Sequence, residues 1–162
     1  MLASALALGV VSGWLAGGRD FQKLGQLRIR WWPLLAVVVV IRAVAPIFGE
    51  LSAIAYVAAF TGITIVALAD RRLPGMSVIA AGATLNAIVV AANGGMPVDM
   101  SAVAAAGATM PTDRLHIALN EATRLPQLAD VISVALFRNV YSVGDVLLAV
   151  GGFWLPFAWL RR

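Results

Sequence analysis

Apolar residues fall along the chain in long blocks rather than in alternation. Five runs, residues 2–18, 32–48, 51–69, 76–92 and 143–160, are each 17 to 19 residues long. An α-helix rises 1.5 Å per residue, so about 17–25 residues cross a hydrocarbon core roughly 30 Å thick. The pattern therefore predicts five transmembrane helices near the short limit of length, with little tilt. A polar-containing stretch, residues 93–142, separates the fourth run from the fifth. The expected fold class is all-α: a polytopic membrane protein of one domain, residues 1–162, with five transmembrane helices plus short extracytoplasmic or interfacial helices.

Three such short helices are expected in the 93–142 cap. The first, 98–108, is Ala-rich, follows Pro97 and is bounded by Gly107 and Pro111. Thr112 or Asp113 would cap a second, ending near Arg124. Pro126 would open a third over 127–137, and residues 139–144 would turn into the fifth run. The cap is reached through Ala92-Asn93-Gly94-Gly95-Met96-Pro97-Val98-Asp99. Two glycines there permit backbone angles other residues avoid, and Pro97 restricts the exit. The pair reads as a helix cap and turn, or as bare backbone N–H groups open to an anion or headgroup.

Composition supports a membrane setting. The chain is 61% hydrophobic and 12% charged, against about 25% charged in soluble domains, and its mean hydropathy is +0.90. Zero Cys excludes disulfides and thiolate chemistry. One His and no paired ligand spacing give no expectation of a metal or cofactor. The formal charge of +4 does not point to nucleic acid, because the basic residues form no stripe on a soluble domain. The expected partner is the lipid bilayer.

Charge also orients the chain. Eight of the 12 basic residues, Arg19, Lys23, Arg28, Arg30, Arg71, Arg72, Arg161 and Arg162, lie in loops on one predicted side, with only Asp20 and Asp70 as acids. The other side holds Glu50, Asp99, Asp113, Glu121, Asp130 and Asp145 against Arg114, Arg124 and Arg138. The positive-inside rule then places the N-terminus outside and the C-terminus inside. The first run has its basic residues after it, opposite to a secretory signal, and reads as a retained span.

Polar residues inside the apolar runs are the candidate chemistry. Arg42 is the one charge well inside a run, with Pro46 four residues on. It either snorkels outward or is a buried charge with a partner, and a buried intramembrane charge marks a functional site by default. Asn86 is mid-membrane, where an amide needs a partner, and it shares a helix face with Asn93. Gly9, Gly13 and Gly17, four apart, form a ridge that admits a neighbouring helix. Residues 19–30 interleave basic and apolar residues and read as an interfacial piece or a solvated loop, with Trp31 and Trp32 at headgroup level.

In the cap, His116, Asn120 and Arg124 would form one polar helical stripe, with Asp113 one turn before His116. A His beside a carboxylate has the makings of a general base, and a solvent-facing stripe explains the same spacing. His116 and Asp113 are thus candidate catalytic residues. Arg138, Tyr141 and Asp145 would share a face if the fifth helix extends backwards, so that Asp145 pairs with Arg138 or Arg42. Asp130 reads only as a local contact to Ser133.

Asn93-Gly-Gly-Met-Pro-Val, His116, Leu125-Pro-Gln-Leu-Ala-Asp-Val-Ile and Tyr141-Ser-Val-Gly-Asp-Val-Leu-Leu together resemble a family of small bacterial integral membrane proteins, a domain of unknown function. The resemblance runs from Asn93 to Gly151. It implies a bacterial inner-membrane location and supplies no activity.

These features are compatible with three functional classes. In the first, Arg42, Asn86, Asn93, Asp99, Asp145 and Arg138 line an outward-facing polar pocket for a small-molecule or lipid-headgroup ligand. Transport through five spans without an internal repeat would need a homo- or hetero-oligomer. The second is a structural or accessory subunit of a membrane complex. The third is a membrane enzyme acting on a lipid-linked substrate, with His116 or an Asp as base.

Overall fold

The structure, a computed structural model, describes residues 1–18 and 20–162, and their side chains other than those of Pro46, Phe48 and Glu50. Arg19, one of the basic residues that orient the chain, lies outside the described residues. Helices α1 (Leu2–Leu15), α2 (Gln22–Gly25), α3 (Trp32–Val44), α4 (Ser52–Ala69) and α5 (Met76–Asn93) come first, and α7 (Val143–Leu160) last. The long helices pack in the order α3, α4, α5, α7, α1. Thus α3 and α1 form the two ends of the row, with α4, α5 and α7 between them.

Three of these helices, α4, α5 and α7, are 18 residues long and apolar enough to cross a membrane. Five full-length spans are not what the chain forms: α1 has 14 residues and α3 has 13. Both are cut short by backbone chemistry. The chain leaves α1 at Ala16 and turns at Gly17, whose φ is +101°. Pro46 carries no N–H for the Arg42 carbonyl, and from Ala45 to Leu51 the chain tightens into a 3-10 turn, broken at Gly49 with φ 54°.

Small residues set the helix spacing. A Cβ on Gly82 would lie 2.5 Å from the Gly144 carbonyl, and one on Gly144 would overlap the Asn86 amide. So α5 and α7 approach backbone to backbone. Gly9 and Gly13 face α7 at Phe153, Pro156 and Phe157, as the expected ridge requires. Gly17 has nothing near it, and Gly18 takes its place against Leu160. Thr64 and Thr84 satisfy their hydroxyls on the carbonyls one turn back and on each other across α4 and α5.

The cap departs from the all-α expectation. It contains β1 (Met96–Val98), α6 (Met100–Ala105), β2 (His116–Ala118), β3 (Ile132–Val134) and β4 (Asn139–Tyr141). β1 and β2 pair in parallel with Met96 opposite His116, and β3 and β4 pair antiparallel with Ile132 opposite Tyr141. β1 is central: on its other side the Asp130 N–H donates to Pro97 O and the Asp99 N–H donates to Asp130 O. Pro97 has no N–H to donate on that side, and the pairing stops at a single bridge, Val98 to Asp130.

Of the three expected cap helices only the first forms, as α6. Asp99 caps it, its carboxylate accepting from the Ser101 N–H. At the second, Asp113 does cap, but a turn: its Oδ1 accepts the N–H groups of Leu115 and His116, and the chain then extends as β2. Strand pairing there buries Leu115 completely. At the third, Pro126 opens only a three-residue 3-10 turn. The run Val131, Ile132, Val134 is β-branched and favours a pleated strand over a helix. His116, Asn120 and Arg124 therefore share no helical stripe.

Candidate functional site

Asn86, 1% exposed in the middle of α5, finds its partners at the start of α7. Its Nδ2 donates to Asp145 Oδ1 at 3.0 Å, and its Oδ1 accepts from Ser142 Oγ at 2.9 Å. Ser142 and Asp145 in turn form a capping box on α7. The Ser142 hydroxyl also accepts the Asp145 N–H, and Asp145 Oδ2 accepts the Ser142 N–H. Each polar atom of the network is thereby matched, as a low-dielectric setting demands.

β2 and the Asp113 turn bring His116 against the same region. His116 Nδ1 lies 2.8 and 3.0 Å from the two Asp113 oxygens. Partial burial pushes the Asp113 carboxyl up, but the N–H donors of His116 and Leu115 outweigh it and hold it below its usual value. The carboxylate is placed to accept from Nδ1–H, and in the neutral ring that leaves the lone pair on Nε2. Among the described residues no group bonds to it, and His116 lines a cavity.

That cavity, about 450 Å³, lies under the cap between the helices. Its polar lining is Arg42, His116, Asp130, Tyr141 and Asp145, and its apolar lining includes Met1, Leu2, Val39, Ile63 and Leu148. A smaller chamber of about 40 Å³, room for roughly one water, is lined by Arg42, Tyr56, Asn86, His116, Asp130 and Asp145. The Arg42 guanidinium sits 3.9 Å from the centre of the Tyr56 ring, a cation–π contact. Asp130 is 7% exposed, and its Oδ1 has no hydrogen-bond partner among the described residues. Burial, with the Asp145 charge adding and Arg42 opposing, pushes its carboxyl up to about 8.

Of the residues singled out from sequence, Arg42, Asn86, Asp145 and His116 meet here, with Asp113 behind His116. Three do not. Asn93 is a clamp, its side chain donating to the Val89 and Arg124 carbonyls and accepting the Arg124 N–H. Asp99 is spent on capping α6, and its bonds from the Ser101 hydroxyl and N–H hold its carboxyl low. Arg138, in a left-handed conformation at φ 47°, donates through Nε to Gly107 O. Because 139–141 is strand rather than helix, the Arg138–Asp145 face does not exist.

Asp130, expected only as a local contact to Ser133, lines the cavity instead, and Tyr56 was missed. The signal for Asp130 was an acid set between Leu128-Ala129 and Val131-Ile132, a place where a carboxylate is rarely left without purpose. Among the described residues no group of three His, Cys, Asp or Glu side chains is placed to hold a metal.

Comparison with known proteins gives neither a curated protein nor a solved structure that matches. A family model does match, over residues 26–157, which takes in α3 to α6, the whole cap and most of α7. With most of its length so covered, this chain belongs to that family, a family of unknown function (DUF5317).

Proposed function

We propose that the protein is an integral membrane protein that holds the head of a membrane amphiphile in the cavity beneath its cap. The observation that carries this reading is the mixed lining, in which charged and phenolic groups meet aliphatic side chains in one cavity. An amphiphile is the ligand whose two ends match both kinds of lining. Arg42 would hold an anionic group of the head, since a guanidinium is suited to phosphate or carboxylate. Val39 on α3, Leu2 on α1 and Met1 just before it contribute apolar lining from the two ends of the helix row. The exposed Val37, Val40 and Leu6 continue that apolar surface outward. The tails would leave between α1 and α3.

In this reading all five long helices cross, with α1 and α3 completed by the turns at their C-terminal ends. The cap lies outside and the basic end inside a bacterial inner membrane, as the Lys/Arg bias and the family resemblance favour. The Asp113–His116 couple favours a second reading, in which the head is also a substrate and Nε2 takes a proton.

One experiment addresses both. Wild type, Arg42→Ala and His116→Ala are purified in mild detergent and their co-purified lipids measured by mass spectrometry. Wild type is expected to enrich one headgroup class over the bulk membrane, and Arg42→Ala to lose at least about ten-fold of it, the scale of one charge-assisted contact. No enrichment, or equal enrichment in Arg42→Ala, overturns the binding reading. Catalysis predicts that His116→Ala retains more unreacted amphiphile than wild type; equal retention removes that second reading.

A further inference from the structure

Among the described residues the side-chain charges that line the cavity are two carboxylates, Asp130 and Asp145, and one guanidinium, Arg42. Asp113 stands behind His116 and is occupied by it. Asp145 has both oxygens matched, by Asn86 and by the Ser142 N–H. Arg42 rests on the Tyr56 ring. That leaves Asp130, held 93% out of solvent by its pairing to β1, with an oxygen that no described donor reaches. A buried carboxylate in that position requires either a proton or a cation.

We infer that the amphiphile bound here carries an ammonium group, which donates to Asp130 while its anionic group meets Arg42; the ligand head is zwitterionic. This rests on the binding reading above and names the chemistry of its ligand. A hydroxyl would satisfy the Asp130 oxygen but leave an ionised Asp130 without a countercharge. An ammonium supplies both a donor and a countercharge, and Tyr56, Tyr141 and Phe60 around the cavity suit a cation. The groups facing Asp130 are Arg42 from α3, Tyr56 from α4, Asn86 from α5, His116 from β2 and Asp145 from α7. With its carboxyl raised by burial, Asp130 holds a proton near neutrality, and an ammonium would displace it.

The test uses full-length protein in detergent micelles and three probes, two of them of equal tail length. These are dioctanoyl phosphatidylethanolamine, dioctanoyl phosphatidylglycerol and the tailless glycerophosphoethanolamine. Binding is read by native mass spectrometry, with calorimetry at two pH values. Phosphatidylethanolamine is expected to bind at least about ten-fold tighter than phosphatidylglycerol, with its affinity rising from pH 6 to pH 8. Asp130→Asn should bring the first down to the second and leave the second unchanged. Equal or stronger phosphatidylglycerol binding by wild type overturns the inference and leaves the amphiphile reading standing. A preference that survives in Asp130→Asn overturns it as well. If the tailless head binds as tightly as the lipid, the amphiphile reading falls while the ammonium site stands. If no probe binds, both fall. The wild-type comparison and its pH dependence hold even if the variant does not fold.

Discussion

Asp130 shows how one residue makes this cavity sensitive to pH. Its carboxyl is pushed from an ordinary 3.8 to about 8 in the folded chain. Between those values the folded protein holds a proton that the unfolded chain has released. Stability from this group is therefore largest at low pH and falls as pH rises through the window, by up to about 1.4 kcal/mol per pH unit for a single proton. Above about 8 the contribution is flat. Asp113 acts in the opposite sense: its carboxyl is held low, so it adds stability above the ordinary value, lost on acidification. The expected outcome is an apparent melting temperature in detergent that falls from pH 5 to pH 8, with Asp130→Asn removing most of the slope. A wild-type profile that rises over that range would contradict the assignment.

At the scale of elements, the crossing of α5 and α7 is held by what is absent. A Cβ at Gly144 has nowhere to go: it would overlap the Asn86 amide and sit 2.8 Å from the Gly82 carbonyl. Backbone atoms cannot yield cheaply, so Gly144→Ala should destabilise by about 2–3 kcal/mol and break the Asn86–Asp145 bond. Gly25→Ala, where nothing lies within 4 Å and φ is not positive, should be close to neutral. Thermal unfolding of both variants in one detergent checks the contrast. The sequence carried the positions of these helices because apolar length is a strong signal. It also carried the need of Asn86 for a partner, since a membrane amide has few choices. The cap was less legible. Asp113 has the signature of a helix cap, yet it caps a turn into a strand, because a local cap signal does not set the conformation of the residues beyond it. The β-branched run from Val131 competes with the helix-start signal of Pro126, and the run prevails. A partner strand, β4, decided the outcome, and pairing between separate segments leaves no local mark. For the same reason the place of Asp130 in the cavity was missed: its site is assembled from α3, α4, α5, α7 and β2.

On the scale of the whole molecule, the two ends of the helix row differ in chemistry. At one end lie the start of α1, the end of α3, the start of α4, the end of α5 and the start of α7, all meeting the cap and its cavity. At the other, Trp159 Nε1 donates to Lys23 O and the Arg30 N–H donates to Asp70, tying the basic loops together. The basic end would lie on the cytoplasmic side by charge bias, since translocating Lys and Arg is disfavoured. The chain has no Cys, so single introduced thiols report on topology without background. Thr112 in the cap and Gln26 in the basic end are both exposed. In intact cells an impermeant maleimide is expected to label Thr112→Cys, and to reach Gln26→Cys only after permeabilisation. Reversed labelling would invert the molecule and put the cavity in contact with the cytoplasm. Labelling of both from one side would mean that α3 does not cross. The cavity would then lose one of the two lipid-facing sides that the amphiphile reading needs, because Val39 would no longer stand at the mouth of a transmembrane gap.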